Sequence, residues 1–440
     1  MTHMRQLAQL MKELENQLSI CMRCGTCQSV CPLFSETGRE ADVARGKLAL
    51  LDGLIAEMFD NPKGVSERLD RCLLCGSCAH NCPSGVNVLE IFIKARAIIA
   101  GVQGLTALKR VLLRGMLAHP HTFDRVVEWG IKCQTIFTKP ANTSLGTSCA
   151  RIMSPVLRER HFTPLAPVPF HRMYQHMNQP MTESTGKTTI KVAFFVGCLI
   201  DKLLPRIAQS VVKISKHHGV SLFIPDEQVC CGMPALSSGD TVAFEDLVRQ
   251  NLEWLNREDI DYVVTACATC TATIRNLWPM MIQEETDAIQ TIIKKIAGKT
   301  LDINQFLVSQ MGVKEHPQPS DHHTVCVTYH DPCHLKKSLG VWMEPRTIIK
   351  ANEHYRLKEM QEADWCCGMG GSFNLQHYEL SVKIGKRKLN NIKASGCSIV
   401  ATGCPACMVQ ITDMLSQSGE TISVKHPIEL YGETLEDHPE

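Results

Sequence analysis

The sequence predicts an α+β protein of several domains. A helical N-terminal domain built around cysteines comes first, and two copies of one α/β cysteine-rich unit follow. Three observations predict this. The 440 residues include 22 cysteines, of which 18 fall into four groups. The first two groups sit in helical sequence before residue 100. The last two recur at a nearly constant offset: 135 residues for Cys198/Cys333, 136 for Cys230/Cys366 and 137 for Cys267/Cys404. An offset that stable marks a duplication.

The elements follow in order. Leu7, Leu10, Met11, Leu14 and Leu18 at helical spacing predict an amphipathic helix over 5–18. Residues 101–135 read as helical, with Leu105, Leu108, Leu112 and Met116 on one face and Lys109, Arg110 and Arg114 around it. From Pro140 to Lys187, prolines punctuate a polar stretch, which suits an extended connector. In the first repeat, strands are expected at 190–196, 221–224 and 262–265, with a helix around Phe244–Leu255. In the second, strands are expected at 324–329 and 398–401, with a helix around Leu380–Ile392. Strands alternating with helices imply parallel sheets, with the cysteines just past strand ends at helix N-termini. Amide dipoles there favour thiolates and anionic clusters. The boundaries are 1–100, 101–187, 188–320 and 321–440.

Composition narrows the function. The net charge of +1 comes with no basic stripe, which argues against nucleic acid. The N-terminal MTHMRQLAQLMKELENQL has no apolar core of a secretory signal. Apolar runs such as Val192–Val196 fall far short of the ~18 residues that span a bilayer. Such a cysteine-rich long chain points to metal binding in a reducing compartment. Cys133, Cys149, Cys326 and Cys397 fall outside the four groups and read as small buried residues.

The first group is Cys21-x2-Cys24-x2-Cys27-x3-Cys31-Pro32, and the second is Cys72-x2-Cys75-x2-Cys78-x3-Cys82-Pro83. This is the bacterial ferredoxin spacing, in which the fourth cysteine of each run serves the other cluster. Cys21, Cys24, Cys27 and Cys82 are thus expected to hold one [4Fe–4S] cubane. Cys72, Cys75, Cys78 and Cys31 are expected to hold a second. Gly25 and Gly76 let the loop backbone approach the sulfurs. Zinc also takes four thiolates, but its sites pair two CxxC motifs and lack the third spaced cysteine and the Cys-Pro ending.

Each C-terminal repeat reads Cys, then Cys-Cys-Gly, then Cys-x2-Cys: Cys198, Cys230, Cys231, Cys267 and Cys270, then Cys333, Cys366, Cys367, Cys404 and Cys407. With Cys82-Pro83-Ser84-Gly85-Val86 and Asp42-Val43-Ala44-Arg45-Gly46-Lys47, these phrases give the chain a resemblance to the CCG-domain iron–sulfur subunit family. That family includes heterodisulfide reductase subunits and the iron–sulfur subunits of glycolate oxidase, respiratory lactate dehydrogenases and anaerobic glycerol-3-phosphate dehydrogenase. The resemblance covers nearly the whole chain, and residues 113–130 look most like the glycolate oxidase subunit. Complete five-cysteine repeats are similar to those that hold noncubane [4Fe–4S] clusters in heterodisulfide reductase. The resemblance therefore implies one or two further clusters in the repeats, cubane or noncubane. Other residues carry bland readings: Lys202 and Lys337 as solvated lysines, His330 and His334 as hydrogen-bonded loop histidines, and Lys109/Arg110/Arg114 as a solvated face.

No GxGxxG follows a strand and no flavin segment is evident, so no catalytic residue is assigned. The resemblance implies an electron-transfer subunit of a FAD-linked lactate or glycolate oxidoreductase. Its partners would be a FAD-containing 2-hydroxy-acid oxidase subunit and a downstream acceptor: quinone, electron-transfer flavoprotein or another iron–sulfur protein. The expected location is cytoplasmic, with at most peripheral contact at the inner membrane face. One alternative is a heterodisulfide-reductase-like subunit that reduces a disulfide at a CCG-bound cluster. A structural or assembly factor is the other, and complete ligand sets argue against it.

Overall fold

A computed structural model describes residues 12–58, 60–151, 159–177, 190–225, 228–282, 287–317 and 324–435. They form two compact units, each assembled from separated stretches. The first gathers the described residues up to Ala118 with Gly232–Leu247 and Trp365–Arg387. The second gathers His119–Cys231, Val248–Asp364 and the described residues from Lys388 onward.

The first unit is helical. Residues 12–18 are helical, and Leu14 and Leu18 are buried; the rest of the expected N-terminal helix, with Leu7, Leu10 and Met11, lies outside the described residues. Helix Val88–Gln103 is its spine. Asn87 caps it by accepting from the Glu90 amide, and Ile91, Phe92, Ile93, Ala95 and Ile98 are buried on it. The chain then breaks at 104–106 and re-forms as Ala107–Arg110 continuing into Val111–Leu117. Here the apolar face differs from expectation. Leu113 turns inward, while Leu108 and Leu112 remain 68% and 42% exposed. The pattern supplied apolar residues on more than one face, and packing selected Leu113.

The second unit contains two four-stranded parallel sheets with the same strand order. Strands β1 (Thr138–Asn142), β2 (Thr147–Ala150) and β3 (His161–Phe162) come first and form a small antiparallel sheet. Then β4 (Lys191–Phe195), β5 (Ser221–Phe223), β6 (Tyr262–Thr265) and β7 (Thr300–Asp302) pair in the order β5-β4-β6-β7. Finally β8 (Val325–Tyr329), β9 (Tyr355–Leu357), β10 (Ile399–Ala401) and β11 (Ser423–Lys425) pair in the order β9-β8-β10-β11. The repeated sequence is thus a repeated fold. The inner parts of the central strands, such as Val192–Phe195 and Val327–Tyr329, are buried, as parallel sheets covered on both faces require. Helix Pro205–His217 shows how the cover forms. A proline opens it, and Ile207, Ala208, Val211 and Ile214 face the core at helical spacing.

The described part of the proline-punctuated stretch is not an extended connector. It holds β1–β3 and helix Phe170–Met177. The sheet is fixed to helix Pro405–Gln417 by polar contacts. The His161 amide donates to Asp413 Oδ1 at 2.9 Å, and the Thr147 and His161 side chains meet Ser416 Oγ at 2.6 and 2.8 Å. Residues 152–158 and 178–189 of that stretch lie outside the described residues.

Candidate cluster-binding sites

Two four-residue helices, Thr26–Ser29 and Ser77–His80, each start at a left-handed glycine: Gly25 at φ 86° and Gly76 at φ 71°. That conformation reverses the loop after the second cysteine of each run, and a side chain there would be strained. At Gly25 a Cβ would also sit 3.0 Å from Arg45 Nη1. The reversal brings Cys21, Cys24, Cys27 and Cys82 to the wall of one cavity, which Cys78 also borders. Cys31 leaves its own run and lies among Cys72, Cys75 and Cys78. Burial pushes the Cys31 thiol up to about 12, and the Cys72 and Cys75 charges add to the effect. Burial likewise raises Cys78 well above the usual thiol range, with Cys72, Cys75 and Cys31 contributing. Cys24 is exposed, and its hydrogen bond with Thr26 lowers it.

Arg96 supports the second loop, a role that sequence reasoning missed. Its guanidinium is buried and donates to the carbonyls of Leu69, Cys72 and Ser237. The signal available was an arginine in the apolar run Ile91–Ile99, where a charge stays only if it is paired.

In the second unit the thiols form a chain of neighbours. Cys198 Sγ lies 3.9 Å from Cys230 Sγ, and Cys230 touches Cys231. Cys231 and Cys267 both contact Cys270. Cys267 also reaches Cys404 of the other repeat, and Cys404 reaches Cys407. Hydrogen bonds from Cys267 and Cys407 hold the Cys404 thiol well below its ordinary range. Cys267 and Cys404 occupy the N-cap positions that follow β6 and β10. Trp278 Nε1 donates to the Cys231 carbonyl at 2.9 Å, and Asn251 Nδ2 donates to that of Cys230 at 3.1 Å. These bonds fix the Cys-Cys turn. Of the second repeat, Cys333, Cys404 and Cys407 are buried in the second unit. Cys366 and Cys367 are buried in the first, where the Gly368 amide faces Cys366 Sγ at 3.5 Å.

Several bland readings change. Lys202 is not solvated. It is 5% exposed and ion-paired with Asp124 and Asp201. His171 completes this set, 2.9 Å from Asp201 and 3.3 Å from Asp124. Burial opposes its charge, but the two carboxylates hold the proton and lift His171 to about 9. Lys337 is half-buried and donates to the Asp364 carbonyl at 3.0 Å. Arg114 belongs to no free solvated face, since it grips buried Asp240 with both Nε and Nη2, at 2.9 and 2.8 Å. His330 is a buried loop histidine bonded to the Ala363 carbonyl, as expected. His334 Nδ1 meets Thr269 Oγ1 at 3.2 Å. Of the four ungrouped cysteines, Cys326 on β8 and Cys397 in the loop just before β10 form a disulfide. Cys133 and Cys149 are half-buried. The duplication pattern had no means of pairing cysteines outside its own motif.

The donor chemistry fits iron–sulfur clusters. The sites bring several thiols close to one another, and soft sulfur donors in such sets suit these clusters. Comparison with known proteins agrees. Residues 17–86 match the "4Fe-4S dicluster domain" model, and residues 192–275 and 327–412 each match the CCG "Cysteine-rich domain". A Bacillus subtilis protein named "Probable glycolate oxidase iron-sulfur subunit" is 28% identical over 95% of both chains. A fumarate reductase (CoM/CoB) subunit of Methanothermobacter marburgensis is 27% identical over 91% of this chain and 68% of its own. "Lactate utilization protein A" of an Exiguobacterium species is 28% identical over 55% of this chain and 97% of its own. Among the described residues no single helix is long and apolar enough to cross a membrane. With a dicluster domain followed by two CCG domains, the chain belongs to the CCG-domain iron–sulfur family and serves in electron transfer.

Proposed function

We propose that this chain is the electron-transfer subunit of a FAD-linked 2-hydroxy-acid oxidoreductase of glycolate or lactate type. It would pass electrons from the flavin of a partner subunit to a downstream acceptor: quinone, electron-transfer flavoprotein or another iron–sulfur protein. The observation that carries this reading is the end-to-end match with a relative named as a glycolate oxidase iron–sulfur subunit, combined with complete thiol sets. Cys21, Cys24, Cys27 and Cys82 would hold one cubane, and Cys72, Cys75, Cys78 and Cys31 the other. The five cysteines of each repeat, from Cys198 to Cys270 and from Cys333 to Cys407, would serve one or two further clusters, cubane or noncubane. When bound, these groups supply one-electron carriage. The protein contributes thiolate placement, exclusion of water by burial, and fixed amides around the sulfurs. In sequence, 1–100 would serve as the cluster segment, 101–187 as the linking segment, and 188–320 and 321–440 as the two repeats.

A two-electron oxidation of an alcohol needs a cofactor that accepts both electrons, and the partner supplies it. The purified chain should be inert toward lactate and glycolate with an artificial dye. Adding the FAD subunit should restore oxidation, with substrate bleaching the cluster absorbance in stopped flow. Unaided oxidation by the pure chain would refute the assignment. Both repeats keep all five cysteines and Cys267 touches Cys404, which favours a second reading: disulfide reduction at a CCG site. Turnover of a disulfide with a viologen donor would put that reading first.

We also place the protein at the cytoplasmic face of a membrane, in peripheral contact. Helix Pro120–Phe137 exposes a stripe of Val126, Trp129, Ile136 and Phe137, at 49%, 72%, 66% and 59%. Its acidic residues Asp124 and Glu128 are held in ion pairs with Lys202 and Arg172, while Arg125 and Lys132 are exposed. An apolar stripe bordered by exposed cations suits an anionic bilayer surface.

A further inference from the structure

The CxxC turn of the first repeat reaches into the second. The Ala268 amide donates to the Gly403 carbonyl at 3.1 Å. Thr269 Oγ1 lies 3.6 Å from Cys404 Sγ and 3.2 Å from His334 Nδ1. The reverse arrangement has no means of forming. The offset of 137 sets Pro405 opposite Ala268 and Ala406 opposite Thr269, and the offset of 135 sets Leu199 opposite His334. Pro405 has no N–H, Ala406 no hydroxyl and Leu199 no imidazole. The duplication is symmetric in its thiols and one-sided in the groups that address them.

We propose that Thr269 is a positioning residue for the second repeat: its hydroxyl donates to Cys404 Sγ, the His334 Nδ1–H donates to Thr269 Oγ1, and the first repeat thereby raises the reduction potential of the group held through Cys404. This rests on the reading that the second repeat holds an iron–sulfur cluster. The polarity follows from valence. A ligating thiolate carries no proton, so the hydroxyl must be the donor, and its oxygen keeps lone pairs for the imidazole N–H. Reduction adds negative charge at the sulfurs, and a donor aimed at one of them stabilises the reduced form more than the oxidised form. The neighbouring Thr271 cannot share this role, because it meets Thr265 Oγ1 at 2.8 Å and donates to the Cys267 carbonyl. A donor present at the second repeat and missing from its counterpart biases an electron toward the second repeat.

The test is an EPR-monitored redox titration of the full-length, anaerobically reconstituted chain as wild type, Thr269→Val and Thr269→Ser. Signals are assigned with Cys198→Ser for the first repeat and Cys407→Ser for the second. Valine keeps the shape and removes the donor. Thr269→Val should lower the second-repeat midpoint by roughly 59 mV, a tenfold change in a one-electron equilibrium. The first-repeat midpoint should stay in place, and Thr269→Ser should restore the wild-type value. An unmoved second-repeat midpoint, an equal shift in both repeats, or a serine variant that behaves like valine would overturn the inference. If Cys407→Ser removes no iron and no signal, the reading beneath it fails instead, and the inference goes with it.

Discussion

A thiol becomes a ligand only when its proton leaves, and its neighbourhood sets the difficulty. Cys31 is raised to about 12 by burial and by the nearby Cys72 and Cys75, so it stays protonated unless a metal takes the proton's place. That neighbourhood belongs to the second cysteine run, and it makes the crossed ligation testable by iron content. Cys31→Ser should lose about four irons per chain. Adding Cys75→Ser to it should cost no more iron, because the same cluster is already lost. Adding Cys24→Ser should remove about four further irons. The opposite pattern would show that Cys31 serves its own run. At single residues, sequence was informative where spacing encodes geometry, as in these runs. It was silent where a partner lies far along the chain. Lys202 looks like an ordinary first-turn lysine until Asp124, 78 residues earlier, and His171 are seen around it. Arg114 likewise depends on Asp240, 126 residues away.

At the scale of elements, the strands legible in sequence are those with long apolar runs. The expected 262–265 is β6, and 324–329 and 398–401 contain β8 and β10. Strands β7, β9 and β11 are not legible because each short strand carries a charged residue, Asp302, Arg356 or Lys425, which breaks any apolar run. Strand β1 contains Pro140, a residue that sheets tolerate at edges, and β1 is an edge strand. Helix Pro120–Phe137 was legible as a helix, but its exposed apolar stripe was not, since sequence periodicity does not say which apolar face a fold leaves uncovered. The membrane assignment rests on that stripe. Full-length protein should co-sediment with vesicles containing anionic lipid, and less with neutral ones. The double substitution Trp129→Glu and Ile136→Glu should reduce the bound fraction about tenfold or more, since it removes two apolar anchors and adds repulsion. Equal binding by the double variant would contradict the assignment.

At the scale of the molecule, the chain is a scaffold for several one-electron carriers. The duplication supplies two matching parallel sheets, and each places cysteines where a strand ends and a helix begins. The dicluster segment, residues 17–86, precedes them in sequence. The crowded thiol sets call for metal. The most direct measurement is metal and acid-labile sulfide analysis of the anaerobically purified full-length chain, with EPR of the reduced protein. The expected result is roughly 12 to 16 irons per chain, about four for each of three or four clusters, with a matching amount of sulfide. Zinc equal to or above iron, with no labile sulfide, would contradict it.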